Sequence, residues 1–259
     1  MTLAAPASDL DPVRLAMKRH SGMDLSGVKD QQLERRVSSF CRRKGIGSIA
    51  ELVRAISGDS DLLAEFIDRL TINVTNLYRN PERWTHLEKS VLPELGPRPT
   101  IWSAGCSTGA ETYSLAIAAL RTGATPQVLG SDIDRASLDK ARSGRYIADD
   151  VRELPKDIES RYFTHEGAVW AVKPEVARHV RFERRDLLND RPPTGQFDLV
   201  ACRNVVIYFT EEAKDRLHKT LAESLRPGGY LFVGNAERVN RPADSNLAPA
   251  GPQFYRKAE

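Results

Sequence analysis

The stretch WSAGCSTGAETYSLA, residues 102–116, decides the fold of this chain. It continues a strand-like run, passes through two glycines and a group of small residues, and enters a helix-like run. A strand that leads through a glycine turn into a helix is typical of α/β sheets, and ligands bind beside such turns. The residues of the turn therefore indicate which ligand it accepts.

The glycine pattern differs from that of phosphate-binding turns. A dinucleotide loop has the pattern G-x-G-x-x-G, whereas Gly105 and Gly109 give only G-x-x-x-G. A P-loop needs a lysine followed by serine or threonine after the last glycine, but Ala110 and Glu111 stand there. A carboxylate in the first turn of the helix disfavours a phosphate and favours an ammonium group. An ordinary strand–turn–helix connection without a ligand remains the alternative for the turn alone.

Polar residues follow the ends of the later strand-like runs. Asp132 ends the second run. Its spacing along the sequence from the glycine turn is about that expected for an acid that binds ribose hydroxyls. Asp186 follows the third run, where an acid can accept a hydrogen bond from an adenine amino group or simply be solvated. A later apolar run ends in Arg203 and Asn204, and Tyr208 lies in the apolar residues beyond it, where core packing is the alternative role. These features fit a ligand with a ribose, a positive amino group and no phosphate, and S-adenosylmethionine (SAM) is such a ligand.

The composition of the 259 residues is that of an ordinary globular protein, with 41% hydrophobic and 28% charged residues. The first residues lack the features of a signal peptide, and no apolar run approaches the length of a membrane span. The three cysteines are far apart and form no CxxC pair, and the five histidines have no metal-ligand spacing. We therefore expect a cytoplasmic protein with reduced thiols, no metal site and no membrane insertion.

The pattern of apolar residues changes once along the chain. Up to about residue 70 the spacing is helical, and after residues 96–99 (GPRP) strand-like runs alternate with helical ones. We predict a helical N-terminal domain over 1–70, a linker over 71–98 and an α/β domain over 99–259 with a mainly parallel sheet. A small β-hairpin insertion is predicted at about 160–181.

The net charge is only +3, but basic residues are concentrated in the N-terminal part. In the helix predicted after Asp30, the pairs Arg35/Arg42 and Arg36/Arg43 are each seven residues apart. Because seven residues make about two helical turns, these arginines form stripes outside the apolar face. A basic surface of this kind indicates an acidic partner, and a merely solvated face is the alternative.

Blocks of sequence spread over nearly the whole chain resemble the chemotaxis receptor methyltransferases of the CheR type. The blocks occur in the order of that family and read TINVTNLYRNPERW, IWSAGCSTGAETYSLA, GSDIDRASLDKARSGRY, FDLVACRNVVIYF and LRPGGYLFVGNAE. The resemblance implies a SAM-dependent methyltransferase (Rossmann-like) fold, with a small all-helical N-terminal domain and the β-hairpin insertion. It also implies SAM-dependent methylation of glutamate side chains on chemoreceptors, with S-adenosyl-L-homocysteine as the second product.

The resemblance also assigns roles to individual residues. Arg79 and Tyr208 would lie near the transferred methyl group, Glu111 would bind the methionine amino group and Asp132 the ribose. The remaining contacts to the cofactor would come from Asn73, Thr75, Arg79, Asp186, Leu187, Arg203 and Asn204. The receptor-docking surface would contain Arg35, Arg36, Arg42 and Arg43, and its partner would be an acidic helical bundle of the receptor.

The chain departs from the family pattern at two places. Ala110-Glu111 stands where the family often has two glutamates, and NLY, residues 76–78, where it often has two aromatics. Neither departure removes a residue named above.

The transfer of a methyl group to glutamate needs no general base, because a glutamate side chain with an ordinary pKa of about 4.3 is ionised at neutral pH.

Some family members bind a pentapeptide tether of the receptor through the small β element, and they resemble one another in a longer glycine-bearing loop. Here RYF, residues 161–163, is followed only by THEG before the next strand-like run. A short loop with Gly167 as its only glycine has less freedom to open a strand edge to a peptide. We therefore expect docking through the basic helix without a pentapeptide tether.

Two other functions compete with receptor methylation. The basic N-terminal part would suit a nucleic-acid methyltransferase, but the base-methylase motif (N/D)PP(Y/F/W) and the Pro-Cys nucleophile of cytosine-C5 enzymes are missing. A non-catalytic SAM-binding adaptor is the second alternative, although the linker block that reaches the cofactor is intact. We expect no nucleic-acid partner.

Overall fold

The computed structural model describes residues 10–71 and 75–259, which form two compact units. One unit is helical and contains residues 10–71 and 208–214. The other is an α/β unit and contains residues 75–207 and 215–259. Within the described residues, no helix is both long enough and apolar enough to cross a membrane.

The helical unit contains α1 (Asp11–Ser21), α2 (Asp30–Lys44), α3 (Ile49–Gly58) and α4 (Ser60–Leu70). The predicted apolar face of α2 is buried at Leu33, Val37 and Phe40. The Phe40 ring packs on Phe66 of α4 at 4.9 Å between ring centroids. The side chains before α3 and α4 cap these helices. Ser48 accepts a hydrogen bond from a backbone amide in the first turn of α3, and Asp59 accepts two from amides in the first turn of α4. The unit therefore has its own core and well-defined helix ends.

Residues 208–214 belong to the helical unit although they lie far from it in the sequence. The Lys29 amide donates a hydrogen bond to the Tyr208 carbonyl at 3.0 Å, and the Thr210 amide donates one to the Gly27 carbonyl at 2.8 Å. A β-bridge joins Val28 to Phe209 between these two bonds. Backbone pairing thus fixes the position of Tyr208 against the start of α2.

The α/β unit contains a large sheet and a small one. In the described part of the chain, the large sheet has seven strands in the order β6-β2-β1-β7-β8-β10-β9. The first five strands are parallel, and β10 is antiparallel to both of its neighbours. The strands are β1 (Thr100–Ala104), β2 (Gln127–Asp132), β3 (Arg145–Tyr146), β4 (Phe163–Glu166), β5 (Val169–Val172), β6 (Val180–Arg184), β7 (Phe197–Cys202), β8 (Leu225–Val233), β9 (Leu247–Pro249) and β10 (Phe254–Lys257). The predicted α/β fold with a mainly parallel sheet is confirmed.

The strand order reverses at β1. From β1 the chain passes to β2 and then β6 on one side, and it returns to β7 on the other side. In open α/β sheets a crevice for ligands lies at such a switch point, outside the carboxyl ends of the strands.

The helices of this unit are α5 (Pro81–His86), which continues as a π-helical turn (Leu87–Val91) and a 3₁₀ turn (Leu92–Leu95), α6 (Ala110–Arg121), α7 (Arg135–Ser143), α8 (Ala148–Val151), α9 (Lys156–Tyr162), α10 (Pro174–Ala177) and most of α11 (Glu211–Ser224).

The small sheet is antiparallel, with the strand order β3-β5-β4. The predicted hairpin is present as β4 and β5, whereas β3 was not predicted, because its two residues are too few to show a pattern. Glu159 of α9 joins the helix to the hairpin by accepting hydrogen bonds from Trp170 Nε1 at 2.8 Å and Lys156 Nζ at 2.7 Å, and it lies 2.9 Å from His165 Nε2. These partners, Lys156 first, lower the pKa of Glu159 to about 2.

Candidate functional site

The glycine turn after β1 has a backbone that only small residues permit. Gly105 and Gly109 have φ angles of 78° and 82°, in the left-handed region. A Cβ atom on Gly105 would lie 2.6 Å from a methyl carbon of Val205, and one on Gly109 would lie 2.8 Å from the Cβ of Ala141. The turn therefore needs glycine both for its backbone angles and for the close approach of neighbouring side chains.

Asp132, the last residue of β2, connects its own strand end to that turn. Its Oδ2 accepts a hydrogen bond from the Ser107 amide at 2.7 Å, and its Oδ1 accepts one from the Asp134 amide at 3.0 Å. Burial raises the pKa of Asp132, and these backbone hydrogen bonds oppose the increase. The carboxylate is therefore held rigidly at the carboxyl edge of the sheet, and each oxygen retains a further lone pair for a ligand hydroxyl.

Glu111 and Arg203 form a buried pair of opposite charges at the same edge. They are 9% and 7% exposed, and Arg203 Nη1 lies 3.5 Å from Glu111 Oε2. Glu111 Oε1 also accepts a hydrogen bond from the Ser103 hydroxyl at 2.8 Å. Burial raises the pKa of Glu111 and lowers that of Arg203, while each charge stabilises the other. The loop after β7 thus places a cation beside the acid of α6.

Arg203 has further contacts, but they do not use all of its donors. Nη2 donates hydrogen bonds to the carbonyl of Arg79 at 3.0 Å and to Oδ1 of Asn80 at 3.1 Å. The guanidinium lies 4.5 Å from the centre of the Phe232 ring. Its Nε is buried and has no hydrogen-bond partner among the described residues. The pair therefore places one positive and one negative charge side by side, as a ligand with both an ammonium and a carboxylate group requires.

Glu237 is a residue of this site that the sequence analysis missed. Its Oε2 accepts hydrogen bonds from the amides of Asn204 at 2.9 Å and Gly234 at 2.7 Å, and its Oε1 accepts one from Val206 at 3.1 Å. Asn204 has a φ angle of 62°, so the loop after β7 is strained where Glu237 holds it. The signal was available, since Glu237 is an acid that follows the apolar strand β8, in the same way that Asp186 follows β6.

The described part of the linker block lies beside Arg203. The Arg79 carbonyl accepts hydrogen bonds from Arg203 and from Trp84 Nε1, the latter at 2.9 Å, and the charge of Arg79 contributes to the lowered pKa of Arg203. Thr75 is half-buried, and the predicted cofactor residue Asn73 lies outside the described residues. The linker therefore brings Arg79 to the buried charge pair.

Models of two protein families match the chain. "CheR methyltransferase, SAM binding domain" matches residues 73–250, and "CheR methyltransferase, all-alpha domain" matches residues 8–71. The chain belongs to the CheR methyltransferase family. SAM is its cofactor, as the glycine turn and the acid at the end of β2 predicted.

Curated CheR-type relatives cover nearly the same length as this chain. The chemotaxis protein methyltransferase of Listeria monocytogenes is 40% identical over 247 residues, which are 93% of this chain and 94% of that protein. Chemotaxis protein methyltransferase 1 of Pseudomonas aeruginosa is 34% identical over 260 residues, which are 93% of this chain and 94% of that protein. A solved SAM-dependent methyltransferase from Mesorhizobium loti is 24% identical, with a TM-score of 0.35, and the match covers 62% of this chain and 54% of that one.

The residues of this CheR-type site fit SAM. The methionine end of SAM carries an ammonium and a carboxylate, and Glu111 and Arg203 offer the complementary charges next to each other. Asp132 offers acceptors to the ribose hydroxyls. Since a Cβ on Gly105 or Gly109 would collide with its neighbours, the turn presents bare backbone at the carboxyl edge.

Asp186, which was predicted to contact adenine, is at the same edge of the sheet but has contacts within its own turn. Its Oδ1 accepts a hydrogen bond from the Leu188 amide at 2.9 Å, and its Oδ2 accepts one from Asn189 Nδ2 at 2.9 Å. Leu187 is half-buried beside it. Asp186 thus shapes the turn after β6, and its side chain retains lone pairs on both oxygens.

The five remaining predicted residues of the CheR-type chain lie in the helical unit. Arg35, Arg42 and Arg43 are exposed on α2, and Arg43 pairs with Glu65 at 3.2 Å. Arg36 is half-buried, and its guanidinium carbon lies 4.5 Å from the centre of the Tyr208 ring. Burial lowers the pKa of Arg36, while Tyr208 opposes this effect. Among the four predicted docking arginines, Arg36 is therefore packed against the residue predicted to act in catalysis.

Proposed function

We propose that this chain transfers the methyl group of SAM to glutamate side chains of chemoreceptors and so forms glutamate methyl esters. The observation that carries the proposal is the buried pair Glu111–Arg203 beside the glycine turn, with Asp132 at the neighbouring strand end. Relatives named chemotaxis protein methyltransferases support the choice of substrate. We place the activity in the cytoplasm, where the three free cysteines would stay reduced.

Each residue of the site has a proposed task. Glu111 binds the ammonium and Arg203 the carboxylate of the methionine end, while Asp132 accepts hydrogen bonds from the ribose. Asp186 and Leu187 flank the adenine, and Glu237 keeps Asn204 and its loop in place. Asn73, Thr75 and Arg79 of the linker, residues 71–98, complete the cofactor contacts.

The residues near the methyl group position the substrate and do not take up a proton. Bound SAM supplies a methyl group on a positively charged sulfur, which leaves as a neutral thioether. The incoming glutamate is already ionised at neutral pH, so Arg79 orients it by charge-assisted hydrogen bonds and Tyr208 by its hydroxyl. Alignment of this kind contributes on the order of 7–11 kcal/mol in well-oriented reactions.

The helical domain, residues 1–70, is the proposed receptor-docking domain. Arg35, Arg42 and Arg43 are exposed on one helix and suit the acidic surface of a helical receptor bundle. Arg36 contributes less to docking than the sequence analysis supposed, because its side chain packs on Tyr208. The basic surface therefore acts through three arginines, and the fourth supports the segment that follows Asn204.

Docking is proposed to need no pentapeptide tether. Only Gly167 and Ala168 connect β4 to β5, so the hairpin is tight. Glu159 holds its Trp170 and His165 side chains to α9, which restricts the hairpin further. Calorimetry with the C-terminal pentapeptide of a tether-bearing receptor should show no binding at micromolar concentration, and methylation should not require the receptor tail. Micromolar binding, or methylation lost with the tail, would contradict this part of the proposal.

The proposed reaction is tested with SAM that carries a labelled methyl group. Purified chain is incubated separately with a chemoreceptor cytoplasmic fragment and with DNA and RNA. We expect label on the receptor, release of the label as methanol by mild base, and none on nucleic acid. Base-stable label on the receptor, or label on nucleic acid alone, would contradict the methylation of receptor glutamates. Binding of SAM without transfer to any of them would support the adaptor function instead.

A further inference from the structure

A cavity lies at the edge of the large sheet opposite the cofactor site, where β1, β2 and β6 begin. Its volume is about 580 Å³, which lies within the usual range of ligand sites. None of the residues assigned above to the cofactor site lines it. The lining consists of Arg98, Thr100, Thr125, Pro126, Gln127, Val128, Leu129, Arg178, His179, Val180, Arg181 and Phe197.

The charged groups of this cavity all have the same sign. Arg98 precedes β1, Arg178 precedes β6 and Arg181 lies on β6, and no carboxylate lines the cavity. Within the described residues, none of these three arginines forms an ion pair. The nearby acid Asp198 already binds Arg226 at 3.0 Å and the Thr100 amide at 2.7 Å. Three exposed arginines thus line the cavity, and none of the described residues pairs with them as a counter-ion.

One of these guanidinium groups is held in place by its neighbours. His179 Nδ1 lies 3.0 Å from the Pro126 carbonyl, which can only accept a hydrogen bond, so Nδ1 carries the proton. Arg178 Nε donates to His179 Nε2 at 3.3 Å, so Nε2 is the acceptor of this pair. The contacts from Pro126 to His179 and from His179 to Arg178 orient the Arg178 side chain and leave both of its Nη groups as donors. A donor group that is oriented in advance loses less entropy when it binds a ligand.

We propose that this cavity binds a soluble organic phosphate with two or more negative charges, such as a nucleoside diphosphate. Guanidinium groups pair with phosphate oxygens through two parallel hydrogen bonds, and a diphosphate concentrates enough charge to engage three of them. Leu129, Val180 and Phe197 give the cavity an apolar part that suits a base or a similar ring. Thr125 and Gln127 add polar groups for a sugar. The proposal does not depend on the methyl-transfer reaction.

Calorimetry on the full chain tests the proposal, with pyrophosphate and ADP as probes and adenosine as the uncharged control. Saturating S-adenosylhomocysteine keeps ADP out of the cofactor site. We expect pyrophosphate and ADP to bind at one site and adenosine not to bind. The double variant Arg178→Ala/Arg181→Ala should weaken ADP binding by at least about tenfold, because it removes two of the three guanidinium groups proposed to pair with the phosphates.

The matched control is Arg216→Ala, which removes an exposed arginine of α11 outside the cavity. It should leave ADP binding unchanged, and neither variant should change SAM affinity or the unfolding temperature. Two results would overturn the proposal: no binding of either soluble probe at millimolar concentration, or equal binding by the double variant. Binding only to vesicles with anionic lipids, lost in the double variant, would assign the cavity to a membrane surface and would also overturn it.

Discussion

The arginines of the two units have different environments. Arg203 of the α/β unit is 7% exposed, lies near Glu111 and donates to Arg79 and Asn80. Arg43 of the helical unit is exposed and pairs with Glu65 at 3.2 Å. A buried charge costs free energy unless its partners are in place, whereas an exposed pair contributes little to stability but acts over a distance. We therefore expect the buried charges to bind the cofactor and the exposed charges to attract the receptor.

Substituting Arg203 should have the largest effect. Arg203→Ala leaves Glu111 buried without a counter-charge, which costs about 3–5 kcal/mol of stability in comparable pairs. SAM affinity should be lost as well. Arg43→Ala is the matched control, since an exposed pair contributes only about 0–1 kcal/mol. Urea unfolding of both variants measures the difference, and similar losses in the two would remove the distinction between buried and exposed arginines.

Substitutions near the methyl group should act on turnover. Tyr208→Phe and Arg79→Ala should lower kcat by about tenfold or more, which corresponds to about 1.4 kcal/mol of the barrier. The Kd for SAM should change less, because these side chains orient the receptor glutamate. Steady-state methylation and calorimetry separate the two effects. If Arg79→Ala lost only cofactor binding, Arg79 would be a cofactor-binding residue and not a catalytic one.

Charge reversal on α2 should have a smaller effect that depends on salt. Arg42→Glu/Arg43→Glu should slow methylation of intact receptor by about tenfold at low salt, because steering by charge raises association rates by roughly 10–10³. SAM affinity should not change. Arg36→Glu should behave differently and also lower kcat, because Arg36 packs on Tyr208. Full methylation by the Arg42/Arg43 double variant would argue against the docking surface.

The smallest effect is expected in the β3-β5-β4 sheet. The pKa of Glu159 is about 2 in the folded chain, below its ordinary value of 4.5. The ionised form is therefore stabilising above pH 4.5, and this contribution is lost as the pH falls towards 2. Glu159→Gln should lower the unfolding temperature by a few degrees at pH 7, at about 2–4 °C per kcal/mol. The difference between wild type and variant should shrink in acid; a difference independent of pH would contradict this role.

The fold was predictable because its signals are local. A strand that enters a glycine turn, acids at strand ends and the alternation of strands and helices all lie within short stretches of sequence. The carboxyl ends of parallel strands meet at one edge, so the sequence also indicated that Glu111, Asp132 and Arg203 share that edge. The prediction of the fold and of SAM as cofactor was confirmed.

The contacts between distant residues were not predictable. The seven-residue spacing placed Arg36 in a basic stripe, but it carries no information on the Tyr208 ring that packs against it. The position of Glu237 beyond an apolar strand marked it as a candidate, but the sequence carries no information on its contacts with the distant amides of Asn204 and Val206. Both contacts form only in the tertiary structure, so the local sequence pattern around each residue does not predict them.

The central claim is that Glu111 binds the ammonium group of SAM and Asp132 binds its ribose hydroxyls. Calorimetric titration of SAM into wild type, Glu111→Gln and Asp132→Asn tests it most directly, since both substitutions keep the size of the side chain. Each variant should bind SAM at least about tenfold more weakly, because charge-assisted contacts contribute about 1.5–3 kcal/mol. Unchanged SAM affinity in both variants, with the fold intact, would contradict the claim.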